Sequence, residues 1–308
     1  MTASNGTART PITPMLTLYL EAKRIGAKEL LARVEGEAAA AYASEVAEAF
    51  AATITQFATE YEAPDEAFRP DVRTPDRLVA EPSVDVLAEA EEETSIPEIR
   101  IARDVATEIY LSGQPMRVVD RPELDAEYVD YEVSILRTLG GARFVEQPGH
   151  DKSGAVAGRA LVADLLLRGP GDLPVIGEVK LRGDSSPILG LIQVLTYIAH
   201  LAPAGQYRRL SIAPGSGERS PFRPHDAGGP LFGGLVLVVD GPELDAPGKV
   251  AALHRTAPRF AAALRGQDEI SAVVGGLEVL RLNLQDGRLQ KTGGAVTART
   301  SAEAASSS

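Results

Sequence analysis

The sequence predicts an α/β fold. Apolar strand-like runs fall at residues 160–167, 174–181, 235–239 and 277–284, and helical patterns lie before and between them. The run Leu235-Val236-Leu237-Val238-Val239 is apolar throughout, which suits a strand covered on both faces of a sheet. No internal repeat interrupts this order.

Composition sets the outer limits. A chain of 308 residues has room for one large domain or two modest ones. Hydrophobic content is 44%, but aromatics make up 5% and Trp is absent, so the core must rest on Ala, Leu, Val and Ile. Without cysteine there is no disulfide framework, thiolate zinc site or cysteine nucleophile, which suits a reducing compartment. No apolar run is long enough to span a bilayer, and the start Met1-Thr2-Ala3-Ser4 lacks a basic-then-apolar signal pattern. The expectation is a cytoplasmic protein with no membrane partner.

The net charge of −12 weighs against nucleic acid until its distribution is examined. Residues 1–130 hold 12 Lys+Arg and 26 Asp+Glu, whereas residues 131–308 hold 19 and 17. The acidity therefore belongs to the first part. Phosphate binding in the second would depend on local placement of Arg and Lys.

Residues 1–13 read as a flexible leader. Residues 14–61 form a helical module: Leu16, Tyr19, Leu20 and Lys23 share one helical spacing, and Leu30, Leu31 and Val34 another. Gly26 and Gly36 divide it, and the Ala-rich stretch 38–58 has high helix propensity. Its apolar positions suit a partner helix, so association with another protein or a second copy is expected through 14–61. Prolines 64, 70, 75 and 82 and the acidic run 89–93 mark residues 62–96 as an acidic, Pro-rich linker. The spacing of Ile99, Ile101, Val105, Ile109 and Leu111 fits strand or helix alike.

A helix is predicted between Pro122 and Gly140-Gly141, with Tyr128, Val129, Val133, Ile135, Leu136 and Leu139 as its inward stripe. Glu132 falls within that stripe, where a salt-bridged or snorkelling glutamate is the commoner outcome and a ligand the rarer one. A short strand at 143–146 precedes the loop 147–158. The hairpin of strands 160–167 and 174–181 then turns through Gly169-Pro170-Gly171-Asp172. A five-residue loop pairs 168 with 174 and sets 164 opposite 178. Asp164, Glu178 and Lys180 would then share one face, with the opposed Cβ atoms roughly 5 Å apart. A four-residue loop would put Gly177 there instead.

Ser185-Ser186-Pro187 opens a helix running to about residue 201, on which Gln193 and Tyr197 share a face. Residues 204–230 are rich in Gly, Pro, Ser and Arg, and Leu210-Ser211-Ile212 suggests a short strand within them. A helix at 250–264 and a strand at 277–284 follow. The tail 293–308 reads as disordered.

Charges inside apolar strands need a reason, because unpaired charge in a sheet interior is costly. One reason is chemical. Phosphodiester hydrolysis needs a hard divalent cation, and Mg²⁺ is served by one or two protein carboxylates plus waters. Asp164 and Glu178 supply carboxylates, Lys180 a cation for the charge developing in the transition state, and Glu132 a third acid. This order resembles the PD-(D/E)XK nuclease superfamily, the restriction-endonuclease-like fold, although Ala163 stands where that pattern has proline. Gln193-Val194-Leu195-Thr196-Tyr197 is similar to the Gln-x-x-x-Tyr motif of its RecB-like branch. The resemblance covers roughly residues 120–240 and assigns residues 97–292 to a nuclease-like domain. It implies a mixed central sheet flanked by helices and a Mg²⁺ cofactor that Mn²⁺ can replace. It implies metal ligation by Asp164, Glu178 and Glu132, with Lys180, Gln193 and Tyr197 beside them, and a nucleic-acid substrate, DNA ahead of RNA.

Two other readings compete. A nuclease-fold protein without catalysis would bind nucleic acid or act as an assembly subunit. An unrelated α/β enzyme would leave the hairpin charges incidental, but His150, His200, His225 and His254 share no ligand spacing. Gly228-Gly229 and Gly233-Gly234 lack the Lys-Ser/Thr of a nucleotide-binding loop.

Overall fold

The computed structural model describes residues 13–61, 97–134, 137–138, 141–142, 144–145, 159–160, 162–181, 186–210, 221–240, 249–285 and 288–301. The leader to residue 12, the linker at 62–96, the loop 147–158, His150 and Ser211-Ile212 lie outside them.

The centre is a curled mixed sheet with helices on both faces. Its strands are β1 (Arg117–Val118), β2 (Glu127–Ser134), β3 (Val162–Gly169), β4 (Leu173–Leu181), β5 (Phe232–Asp240), β6 (Val274–Gln285) and β7 (Ala295–Thr300), in the spatial order β1-β7-β6-β5-β4-β3-β2. β2, β3 and β4 are antiparallel neighbours. β4, β5 and β6 run parallel, while β7 is antiparallel to β6. The two ends of the sheet meet through the backbone pair Met116 and Ala126, with N–O distances of 2.8 and 3.1 Å. That meeting is why the sheet curls.

Parallel neighbours need crossovers, and helices supply them. α5 (Pro187–Leu201) joins β4 to β5, and α7 (Lys249–Arg265) lies between β5 and β6. These two, with α1 (Pro14–Arg24), α2 (Ala27–Val34) and α3 (Ala38–Gln56), cover one face of the sheet. Met15, Leu16, Phe50, Leu191, Val236 and Phe260 belong to one buried cluster there. The N-terminal helices form where the glycines predict, but the chain's own α5 and α7 cover their apolar faces. The other, concave face holds α4 (Pro97–Ser112), whose Ala102, Val105, Ala106 and Ile109 pack with Leu165, Val179 and Leu237. α6 (Ala204–Leu210) and the short α8 (Asp268–Ser271) complete the described helices. No helix among the described residues is long and apolar enough to cross a membrane.

Three expectations are corrected. Where a helix is expected from Pro122 onward, Pro122–Leu124 is one 3-10 turn and residues 127–134 are β2. Tyr and Val favour the strand, and a register shift between Tyr128 and Asp130 breaks its alternation and mimics helical spacing. The tail is not disordered over 295–300, because β7 lies between β6 and β1. The stretch after residue 203 opens as helix α6, so Leu210 ends a helix and starts no strand.

Candidate active site

The hairpin register is the first fact of the site. Arg168 pairs with Pro174 and Leu165 with Gly177, which carries Asp164 opposite Glu178. Pro170–Asp172 closes the turn, with Gly171 at φ 69° and Asp172 at φ 57°. Gly171 has no Cβ to oppose that left-handed backbone, and aspartate is among the side chains that tolerate it. The parity that sends Leu165 and Val179 to the concave core sends Asp164, Glu178 and Lys180 to the face under α5.

α5 is placed over them by its start. Ser186 caps the helix, its hydroxyl accepting the Leu189 N–H, and Pro187 occupies the first turn. Gly190 lets the helix settle closely: a Cβ there would lie 3.0 Å from Val236 Cγ1 and 3.4 Å from Lys180 Cε. One helical turn on, Gln193 faces the lysine head.

The side chains form a connected network. Lys180 Nζ donates to Glu178 Oε1 at 2.7 Å and to Gln193 Oε1 at 3.2 Å. Gln193 Nε2 donates to the Tyr197 hydroxyl. Asp164 Oδ2 accepts the Val179 N–H at 2.8 Å, tying the acid to the partner strand. Glu178 is 3% exposed and Lys180 7%, while Asp164 and Gln193 are half-buried. Burial works against the Lys180 charge, but Glu178 and Asp164 outweigh it and hold its pKa above the ordinary lysine value. Burial also pushes the Tyr197 phenol well up, helped by Glu178, so it stays a neutral hydroxyl.

Five of the six predicted residues therefore meet: Asp164, Glu178, Lys180, Gln193 and Tyr197. Glu132 is corrected in its element. Its backbone lies in β2, between the pairs Tyr131–Leu165 and Val133–Ala163, so the register sets residue 132 across from Asp164 and not on a flanking helix. Its side chain lies outside the described residues. Among the described residues no group of three or more His, Asp or Glu side chains gathers as for a metal. Tyr19 was missed: on α1, it is near enough to act on the charge of Lys180 and the ionisation of Tyr197. Its only sequence signal is its place in the Leu16-Tyr19-Leu20 stripe, which reads as packing alone.

Two of the histidines have partners outside this network. His200 is buried between the Thr196 carbonyl and the Thr13 hydroxyl, and His225 contacts the Ala202 carbonyl. No family model, curated protein or solved structure matches the chain. The site is left to its own geometry.

Proposed function

We propose that the chain is a metal-dependent nuclease that hydrolyses phosphodiester bonds, DNA ahead of RNA. The observation that carries this reading is the convergence of Asp164, Glu178 and Lys180 on one face of the hairpin, with Gln193 directly on the lysine. The donor set fits a hard cation such as Mg²⁺, or Mn²⁺ in its place: two carboxylates from adjacent strands, oxygen only, with no sulfur or imidazole among the side chains that meet there. Asp164 and Glu178 would hold the ion, and the side chain of Glu132 is the candidate third acid. When bound, the cation would lower the pKa of a coordinated water and neutralise charge at phosphorus.

The protein's own part is positioning. Lys180 keeps its proton because two carboxylates face it, so it offers a fixed positive charge to the charge that develops on the phosphoryl oxygens. Gln193 holds the ammonium from the helix side, and Tyr197 fixes the amide of Gln193. The Val179 N–H anchors Asp164 to the neighbouring strand, which helps to fix the position of the acid.

A catalytically silent protein of the same architecture is the second reading, and it has its own observation. Glu178 and Lys180 are almost inaccessible and neutralise each other. Incubating the purified chain with single- and double-stranded DNA and RNA, with Mg²⁺, Mn²⁺ or EDTA, separates the two. Cleavage that needs metal supports the nuclease. Intact substrates under every condition support the silent protein.

A further inference from the structure

At the opposite end of β4, on its concave face, the sheet opens into a cavity of about 430 Å³. Leu173 and Val175 line it, and seven residues of strand put Leu173 about 23 Å from Lys180. No described residue of α4 reaches it, so the helix that fills the concave face leaves this end open. Cavities of this size at the mouth of a curled sheet are the usual setting for small ligands.

Two guanidiniums and two carboxylates stand at its rim, and the more buried of the two carboxylates serves both guanidiniums. Arg265 pairs with Glu278 and donates from Nη1 to the Leu277 carbonyl at 3.3 Å. Arg121 Nη1 lies 3.7 Å from the same Glu278 oxygen, and its Nε meets Glu123, which projects into solvent. Two guanidiniums thus share one largely buried carboxylate. Burial and the neighbouring Arg121 both lower the pKa of Arg265, which marks the two cations as repelling each other. A guanidinium has five N–H donors in a planar fork that suits carboxylate and phosphate, and the described residues engage only part of each fork.

The remaining wall is apolar or bare. Leu124, Leu173 and Leu235 face the space. Gly276 leaves it open: a Cβ there would meet only Leu124 Cδ2, at 3.9 Å, and its backbone is not left-handed. It stands beside the register shift in β6 between Val274 and Gly276, and its missing Cβ keeps the cavity wide at this point.

We propose that this cavity binds a small organic anion, its carboxylate or phosphate head between Arg121 and Arg265 and its apolar body against Leu124, Leu173 and Leu235. The site stands independently of the nuclease reading. Titration calorimetry of the full chain with phenyl phosphate, octanoate and inorganic phosphate tests it. Saturable binding of an organic probe is expected, roughly tenfold or more tighter than inorganic phosphate. Arg121→Ala should weaken it roughly tenfold or more, since it removes a charge-assisted contact from a rim residue. Gly276→Val should abolish it by filling the space, and Asp164→Asn should bind as the wild type does. Absence of saturable binding by both organic probes, equal binding of inorganic phosphate, or binding unchanged in Arg121→Ala would each overturn the site. The Arg121 variant decides the matter should Gly276→Val fail to fold.

Discussion

The ion-pair clusters near the two ends of β4 are built on opposite terms. At one end Lys180 and Glu178 have left water almost entirely and pair with each other, and Asp164 adds to the field that keeps Lys180 charged. At the other, Arg121 and Arg265 keep side-chain exposures of 42% and 34% and share Glu278, while Arg121 also pairs with the exposed Glu123. The first arrangement fixes a geometry, because a buried pair cannot lose a member without stranding a charge. The second can exchange partners, because water screens it and donors remain. A centre that must hold reacting groups in place needs the first kind, and a site that admits varied anions can use the second.

Removing Lys180 should break the closed cluster with the largest effect. Lys180→Met removes the ammonium beside the buried Glu178 carboxylate, so a loss of about 3–5 kcal/mol is expected in urea unfolding. The double variant Glu178→Gln/Lys180→Met should recover most of it. A single variant as stable as the wild type would mean that Glu178 is already hydrated.

His200 sharpens the comparison as a group that is buried neutral. The Thr196 carbonyl can only accept, so Nδ1 carries the proton and Nε2 takes the Thr13 hydroxyl. Burial lowers its pKa from 6.5 to about 4. The unfolded chain therefore binds a proton between these values and the folded chain does not. Its contribution is complete above pH 6.5 and lost as the pH falls toward 4, about 3 kcal/mol in all. Unfolding curves at pH 7 and 4.5 should show that drop, and His200→Gln should flatten it.

Gly190→Ala probes the approach of α5 to the lysine. Its Cβ would press on Val236 and on the Lys180 stem, for a loss of about 1–3 kcal/mol by thermal unfolding. The smallest effect belongs to the open cluster: Arg121→Ala should cost about 0–1 kcal/mol, less at high salt.

What the sequence disclosed followed from local chemistry. The turn at Gly169–Asp172 was readable, but its loop length left two registers open, and the structure takes the one that pairs Arg168 with Pro174. Ser186 and Pro187 announced α5, and Gln193 came with it. β2 was unreadable as a strand because its register shift breaks the alternation of Tyr128, Tyr131 and Val133. β7, Ala295 to Thr300, is short and carries no apolar side chain larger than Val296, and β6 and β1 pair with it on either side. One signal was overlooked there: Gly293-Gly294, both at positive φ, closes a two-residue hairpin that pairs Thr292 with Ala295. Tyr19 and the Arg121–Arg265 rim join parts distant in the chain, which no local pattern reports.

Whether the closed cluster is a working centre or only a packed one rests most directly on Asp164→Asn. Asparagine keeps an acceptor for the Val179 N–H while it removes the charge and replaces one acceptor oxygen with an N–H donor, so the fold should be retained, as circular dichroism and thermal unfolding can verify. Cleavage of DNA in Mg²⁺ is the readout. A metal-dependent activity in the wild type that falls by roughly 100-fold or more in the folded variant is the expected result. Equal cleavage by both proteins would contradict it.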